Sequence, residues 1–247
     1  MDRRVVRLTG TEALPFLQGL VSNDVLPLAK GPGLVWTALL TPQGKYLADF
    51  FVAAVGQDLL LDLPEAVADS TLQRLAMYRL RADVQMVATD LPVSRGLGPP
   101  PPGALMDPRH PALGWRLYAA APETAVDWDA LRVQYVVPET GIELIAGESY
   151  LLETGFERLN GVNFRKGCYV GQEVTARMKH KTELRKGLAA VRLSVPVPVG
   201  TIIRSDGKEA GVVYTQSGDR GIAWLRFDRS AGVMTAAAAE VVQLDVT

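Results

Sequence analysis

Cysteine is nearly absent from this chain: Cys168 is the one example in 247 residues. A single thiol excludes an internal disulfide framework and fits a reducing, cytoplasmic setting. Histidine is scarce too, with only His110 and His180. One cysteine and two histidines fall short of an ordinary four-ligand zinc or cluster site, so no resident metal is expected. Cys168 can be at most one ligand of something shared. A Cys–His nucleophile pair has no supporting signature at either histidine. Long apolar runs are missing: the opening MDRRVVRLTG does not read as a signal peptide, and no segment reaches membrane-spanning length. Charge of one sign is missing as well, since 26 Lys and Arg face 27 Asp and Glu for a net charge of -1. No overall field therefore points to nucleic acid or to an anionic membrane. What remains is an ordinary globular mix, 48% apolar and 21% charged. The length suits one large domain or two to three small ones sharing a core.

The pattern along the chain is readable. Gly10-Thr11-Glu12 reads as a helix start with Thr11 as N-cap. Leu14, Leu17 and Val21 then follow at spacings of three and four. From Gly33 to Leu63, three apolar β-rich runs are separated by Thr-Pro-Gln-Gly and Gly-Gln-Asp turns, which predicts an antiparallel meander. Pro64 opens a helical stretch with Leu72, Leu75, Ala76 and Leu80 on one face. ADVQMVAT is a further strand. Four consecutive prolines in GLGPPPPGALMDPRHPALG hold an extended conformation and form a linker or loop. WRLYAAA resumes a strand, and ETAVDWDALRVQYV and SYLLETGFERL read as helices. Beyond Arg185, Gly-rich turns and alternating residues predict a small β-barrel.

The lone thiol lies in NFRKGCYVGQEVTARM, residues 163–178. Seven Lys or Arg against two Glu between Arg165 and Lys186 leave a local surplus of five positive charges. Nearby cations, Arg165 and Lys166 first, favour a thiolate over a thiol. Gly167 and Gly171 permit a sharp bend. Gln172 and Glu173 add an amide and a carboxylate able to orient a ring that bears donors and acceptors. The plain alternative is a small buried cysteine beside a solvated charged face.

KGCYVGQE at Lys166–Glu173 resembles the signature of the YgfZ-type folate-binding proteins. These are relatives of the glycine-cleavage T-protein that act in iron–sulfur cluster maintenance and have a mitochondrial counterpart in cluster assembly. LNGVNF before it, VTARMKHK after it, GTEALPFLQGLVSNDV, LTPQGKYLAD and VPETGIEL resemble the same family in the same order. The resemblance implies an α+β fold: a cloverleaf of antiparallel α+β subdomains around a central channel, with a C-terminal β-barrel. Its parts would be an N-terminal folate-binding subdomain at 1–95, a trimmed middle subdomain at 96–187 and the barrel at 188–247. It implies tetrahydrofolate as cofactor, with Trp128, Asp90, Asp49, Asn23, Glu143, Gln172 and Glu173 as candidate contacts. It also implies Cys168 as the reactive centre near the mouth of the folate channel; Lys166 is a catalytic candidate beside it, either favouring the thiolate or contacting a phosphate or carboxylate. Iron–sulfur proteins or cluster-assembly factors are the implied partners. Arg3 stands where a second family tryptophan is expected.

Three readings follow from this. The first is a folate-dependent accessory factor for building or repairing clusters. The second is a one-carbon transferase like the T-protein. In the third, the chain is a binding module with an inert cysteine.

Overall fold

The computed structural model describes residues 2–122, 125–181 and 183–245. The first half mixes strands and helices. It runs β1 (Arg3–Thr9), α1 (Ala13–Gln18), β2 (Gly33–Leu40), β3 (Tyr46–Val55), β4 (Asp58–Pro64), α2 (Glu65–Arg79) and β5 (Gln85–Ala88). Three short strands follow, β6 (Ser94–Gly96), β7 (Leu105–Met106) and β8 (Trp115–Leu117), and then the helices α3 (Trp128–Tyr135) and α4 (Gln172–Lys181). Six strands close the sequence: β9 (Lys186–Leu193), β10 (Ile202–Ser205), β11 (Lys208–Ser217), β12 (Arg220–Arg226), β13 (Met234–Ala236) and β14 (Ala239–Leu244).

Contacts divide the chain into two compact units that interleave in sequence. One holds the chain up to Val126 with Ala146–Glu148 and Glu157–Ala176; the other holds Asp127–Ile145, Ser149–Phe156 and the chain from Arg177. The first unit is built on a five-stranded antiparallel sheet, ordered β2-β3-β4-β1-β5. Its β2-β3-β4 portion is the predicted meander. Register and period explain its two faces. Val35, Val52, Leu61 and Val6 lie in one cross-strand row and pack with Leu17 and Leu75 of the helices. The row Trp36, Phe51, Asp62 and Val5 takes the other face, near Arg116 and Tyr118 of the β8 segment.

The second unit holds the predicted barrel. It is closed, in the order β10-β11-β12-β9-β14-β13. Alternate residues such as Val191, Ile203, Val213, Leu225 and Val241 fill its interior, as expected of a small barrel with no room for a lumen.

Several local readings change. Thr11 is no N-cap: its hydroxyl donates to Asp83, and no side chain caps α1. In α2 the buried face is Ala68, Thr71 and Leu75, while Leu80 terminates the helix, 86% exposed. SYLLETGFERL is a series of turns rather than a helix. There the Thr154 hydroxyl bonds back to the Tyr150 and Leu151 carbonyls, and Gly155 takes φ 79°, outside helical geometry. The helix read over 123–136 starts only at Trp128, where Asp127 caps it by accepting the Ala130 N–H; Glu123 and Thr124 lie outside the described residues. Among the described residues, no helix is long and apolar enough to cross a membrane.

Candidate functional site

The stretch from Asn160 to Gly171 is laced onto the chain that follows α1. Ser22 donates its hydroxyl to the Gly161 carbonyl at 2.7 Å and accepts the Ala38 N–H. Its own carbonyl accepts the Asn163 N–H. The Asn163 side chain then accepts the N–H groups of Arg165 and Lys166, at 2.8 and 3.2 Å, turning the chain sharply. Asn23 donates its amide to the Trp36 and Asn160 carbonyls at 2.8 and 2.7 Å. Its candidate role in ligand binding thus sits beside a clear structural one.

Lys166 turns inward and is 8% exposed. Its ammonium donates to the main-chain carbonyls of Gln18, Val21 and Asn23 at 2.8, 2.5 and 3.0 Å. Burial pulls it down to about 8, against the opposing pull of Asp24. Tyr169 is buried too, its ring centroid 4.9 Å from that ammonium. Burial pushes its phenol up to about 12. Between them, Gly167 and Cys168 are exposed. The thiol therefore stands out to solvent on a loop between two inward-facing side chains.

A cleft of about 450 Å³ opens beside this loop, lined by Asn23, Asp24, Pro27, Asn160, Asn163, Phe164 and Arg165 among others. Cys168 lies just past its rim residue Arg165 and does not line it.

The remaining candidates are spread over both units. Asp49 is buried in the first, taking the Trp36 indole N–H and the Tyr46 hydroxyl, both at 2.8 Å. Asp90 is exposed just after β5, and Gln172 and Glu173 open α4 with Glu173 exposed. In the second unit, Trp128 begins α3, half-buried. Glu143 is 2% exposed and saturated there. It accepts from Arg132, from the Glu139 N–H, and from both the hydroxyl and the N–H of Thr215. Such a carboxylate ties α3 to β11 and has little left for a ligand.

Comparison with known proteins gives these placements a context. A mouse protein named iron-sulfur cluster assembly factor IBA57, mitochondrial, is 30% identical over 277 residues, covering 93% of this chain and 77% of its own length. This chain belongs to the IBA57 family of iron–sulfur cluster assembly factors. The human IBA57 is 29% identical, with 98% and 80% of the two chains covered. The homologue from Mycosarcoma maydis is 34% identical over 74% of this chain, which spans only 54% of that longer protein. All three carry the description mitochondrial. Residues 185–247 match the family described as CAF17, C-terminal beta-barrel domain. In fold, the chain is similar to the glycine cleavage system aminomethyltransferase T from Bartonella henselae, with a TM-score of 0.73 over 98% of this chain and 82% of the other. Sequence identity there is 11%, so that likeness concerns the fold.

Sequence reading missed two groups of residues in this IBA57-family chain. Asp24, Asn160 and Asn163 meet at one cleft with Arg165, which the sequence had singled out only as a cation near the thiol. Their signal was present, because all lie in or beside the SNDV and LNGVNF blocks. The other group is a buried ionic network. Asp62 accepts from Arg3, Arg116 and the Tyr118 hydroxyl at 2.5, 2.9 and 3.2 Å. Asp107 pairs with Arg109 at 2.8 Å. The Arg116 and Arg109 guanidinium carbons lie 3.9 and 4.9 Å from the Phe51 ring centroid. Arg3, at the position of the expected second tryptophan, belongs to this network.

Proposed function

We propose that this protein is a tetrahydrofolate-binding accessory factor for the assembly or repair of iron–sulfur clusters, with Cys168 as the thiol that meets the cluster or the protein carrying it. The observation that carries the reading is the exposed Cys168 between buried neighbours, in a chain of the IBA57 family. An iron–sulfur cluster is typically held by about four thiolate or imidazole ligands. This chain has one cysteine, and among the described residues no group of three His, Cys, Asp or Glu comes together as a metal site. The cluster is therefore cargo, and its other ligands come from iron–sulfur proteins or assembly factors that dock here. A reducing compartment, proposed as the cytoplasm, keeps such a lone thiol free.

Tetrahydrofolate belongs to the same proposal, and the donor set of the cleft supports it. Asp24 and the Asn160 carboxamide offer acceptors to the N–H groups of a pterin, Phe164 and Pro27 offer apolar surface, and Arg165 offers a guanidinium to the anionic glutamate tail. When bound, the reduced folate supplies a carrier for one-carbon units. This chain's residues orient it and hold its tail; no transfer step is assigned, since the likeness to the aminomethyltransferase is one of fold.

The test of the thiol is Cys168→Ala in a strain lacking the protein. Cluster-enzyme activities are expected to stay at the deletion level. Unfolding free energy should remain within about 0.5 kcal/mol of wild type, because the lost side chain is exposed. Full rescue by the alanine variant would overturn the role given to the thiol. For the folate, calorimetric titration with tetrahydrofolate is expected to give saturable heat. Arg165→Ala should weaken binding about tenfold, equivalent to about 1.4 kcal/mol. No heat and no change in tryptophan fluorescence would remove folate from the reading.

A further inference from the structure

A lysine two positions before an exposed thiol invites the idea that its charge activates the sulfur. The hydrogen bonds point elsewhere. An ammonium has three hydrogens, and the carbonyls of Gln18, Val21 and Asn23 take all three. Gln18 is the last residue of α1. Carbonyls in the last turn of a helix lack an intrahelical partner, and a cation there is favourable. Lys166 thus caps a helix that lies 148 positions earlier in sequence. On the far side of the thiol, Tyr169 is 7% exposed and offers its ring to the same ammonium at 4.9 Å. Upstream, the Asn163 side chain holds the N–H groups of Arg165 and Lys166.

We infer that Lys166 is a positioning residue for Cys168: with the Tyr169 ring it pins both ends of the exposed Gly167–Cys168 pair to the turn after α1. The two outward residues form a short blister on two inward feet. A Cβ at Gly167 would meet nothing within 4 Å and Cys168 is exposed, so neither residue of the blister is enclosed by its neighbours. Only two residues separate the feet, and the chain spans at most about 3.6 Å per residue, so the thiol has little range. An incoming partner then finds the sulfur already placed and does not have to order the loop first. The inference rests on the cluster-assembly reading for what the sulfur does, and on geometry alone for how it is held.

Because Cys168 is the one cysteine, a nitroxide attached to it reports from a single site. The wild-type spectrum is expected to show restricted motion, Lys166→Met a markedly more mobile label, and Lys166→Arg, which keeps donors for the carbonyls, an intermediate one. Cluster transfer measured on unlabelled Lys166→Met should slow about tenfold. Should Lys166→Met fail to fold, Tyr169→Leu removes the ring face while keeping apolar bulk, and its label is expected to gain mobility. A folded Lys166→Met whose label moves as in wild type would overturn the inference, as would an unchanged Tyr169→Leu. The label reads mobility, not cluster chemistry. An active Cys168→Ala variant would therefore end the thiol reading and leave the positioning result to stand or fall by itself.

Discussion

Asp62 is fully buried, and it survives there because two guanidinium groups and a phenol surround it. Burial lowers Arg116 and raises Tyr118 well above its ordinary range. Removing the carboxylate leaves Arg116 with only the more distant Asp107, at 3.6 Å, and Arg3 with only the Asp62 main-chain carbonyl. Asp62→Ala is therefore expected to cost about 3–5 kcal/mol in urea unfolding, the range for breaking a buried ion pair from one side. A loss below about 1 kcal/mol would mean that water replaces the carboxylate and that the network is loosely held. None of this was legible in DLLLDLP, where a charge in an apolar strand reads as an outward position. Its partners, Arg3 and Arg116, lie on other strands, and nothing local announces them. The loop at the thiol was more legible, since its glycines announced a bend, but the residues alone left Cys168 open to being buried or exposed, and it is exposed. The direction of Lys166 was not legible, because main-chain carbonyls carry no sequence signature.

At the scale of elements, two of the motif blocks meet through their glycines. Gly171 takes φ +84°, and a Cβ there would come within 2.6 Å of the Thr41 carbonyl oxygen and 2.9 Å of the Leu40 Cβ. Gly44, in the turn between β2 and β3, takes φ +74°, and its Cβ would fall 2.8 Å from that of Val174. The LTPQGKYLAD turn thus packs directly on the start of α4. Gly171→Ala is expected to lose at least about 1–2 kcal/mol from its left-handed backbone alone, and more from the overlap. Gly167→Ala, with neither positive φ nor a neighbour, should stay within about 0.5 kcal/mol. Paired denaturation curves check both, and equal losses would contradict the difference in packing. Sequence reading gave the two glycines the same task, the bend around the thiol. Only Gly171 has a steric need. The meander was legible because its period of two and its turns are local signals. SYLLETGFERL misled because its apolar spacing suits a helix, while Thr154 and Gly155 divert the backbone into turns.

Across the whole molecule, the barrel was readable from turn spacing and alternation, whereas the α+β class came from the resemblance that the motif blocks carry. The interleaving of the two units was not: Ala146–Glu148 and Glu157–Ala176 return to the first unit through contacts with residues far away in sequence. The Asn163 N–H on the Ser22 carbonyl is one of them. The order of the barrel strands has a consequence for synthesis. Its earliest strand, β9, is bordered by β12 on one side and by β14 on the other. On the ribosome, β9 can pair with β12 as soon as Arg226 has emerged, but its second edge stays bare until Leu244 has emerged too. Throughout that interval the nascent chain exposes an open, apolar-faced sheet edge. This is the moment at which it is most prone to pair with a neighbour and most in need of a chaperone.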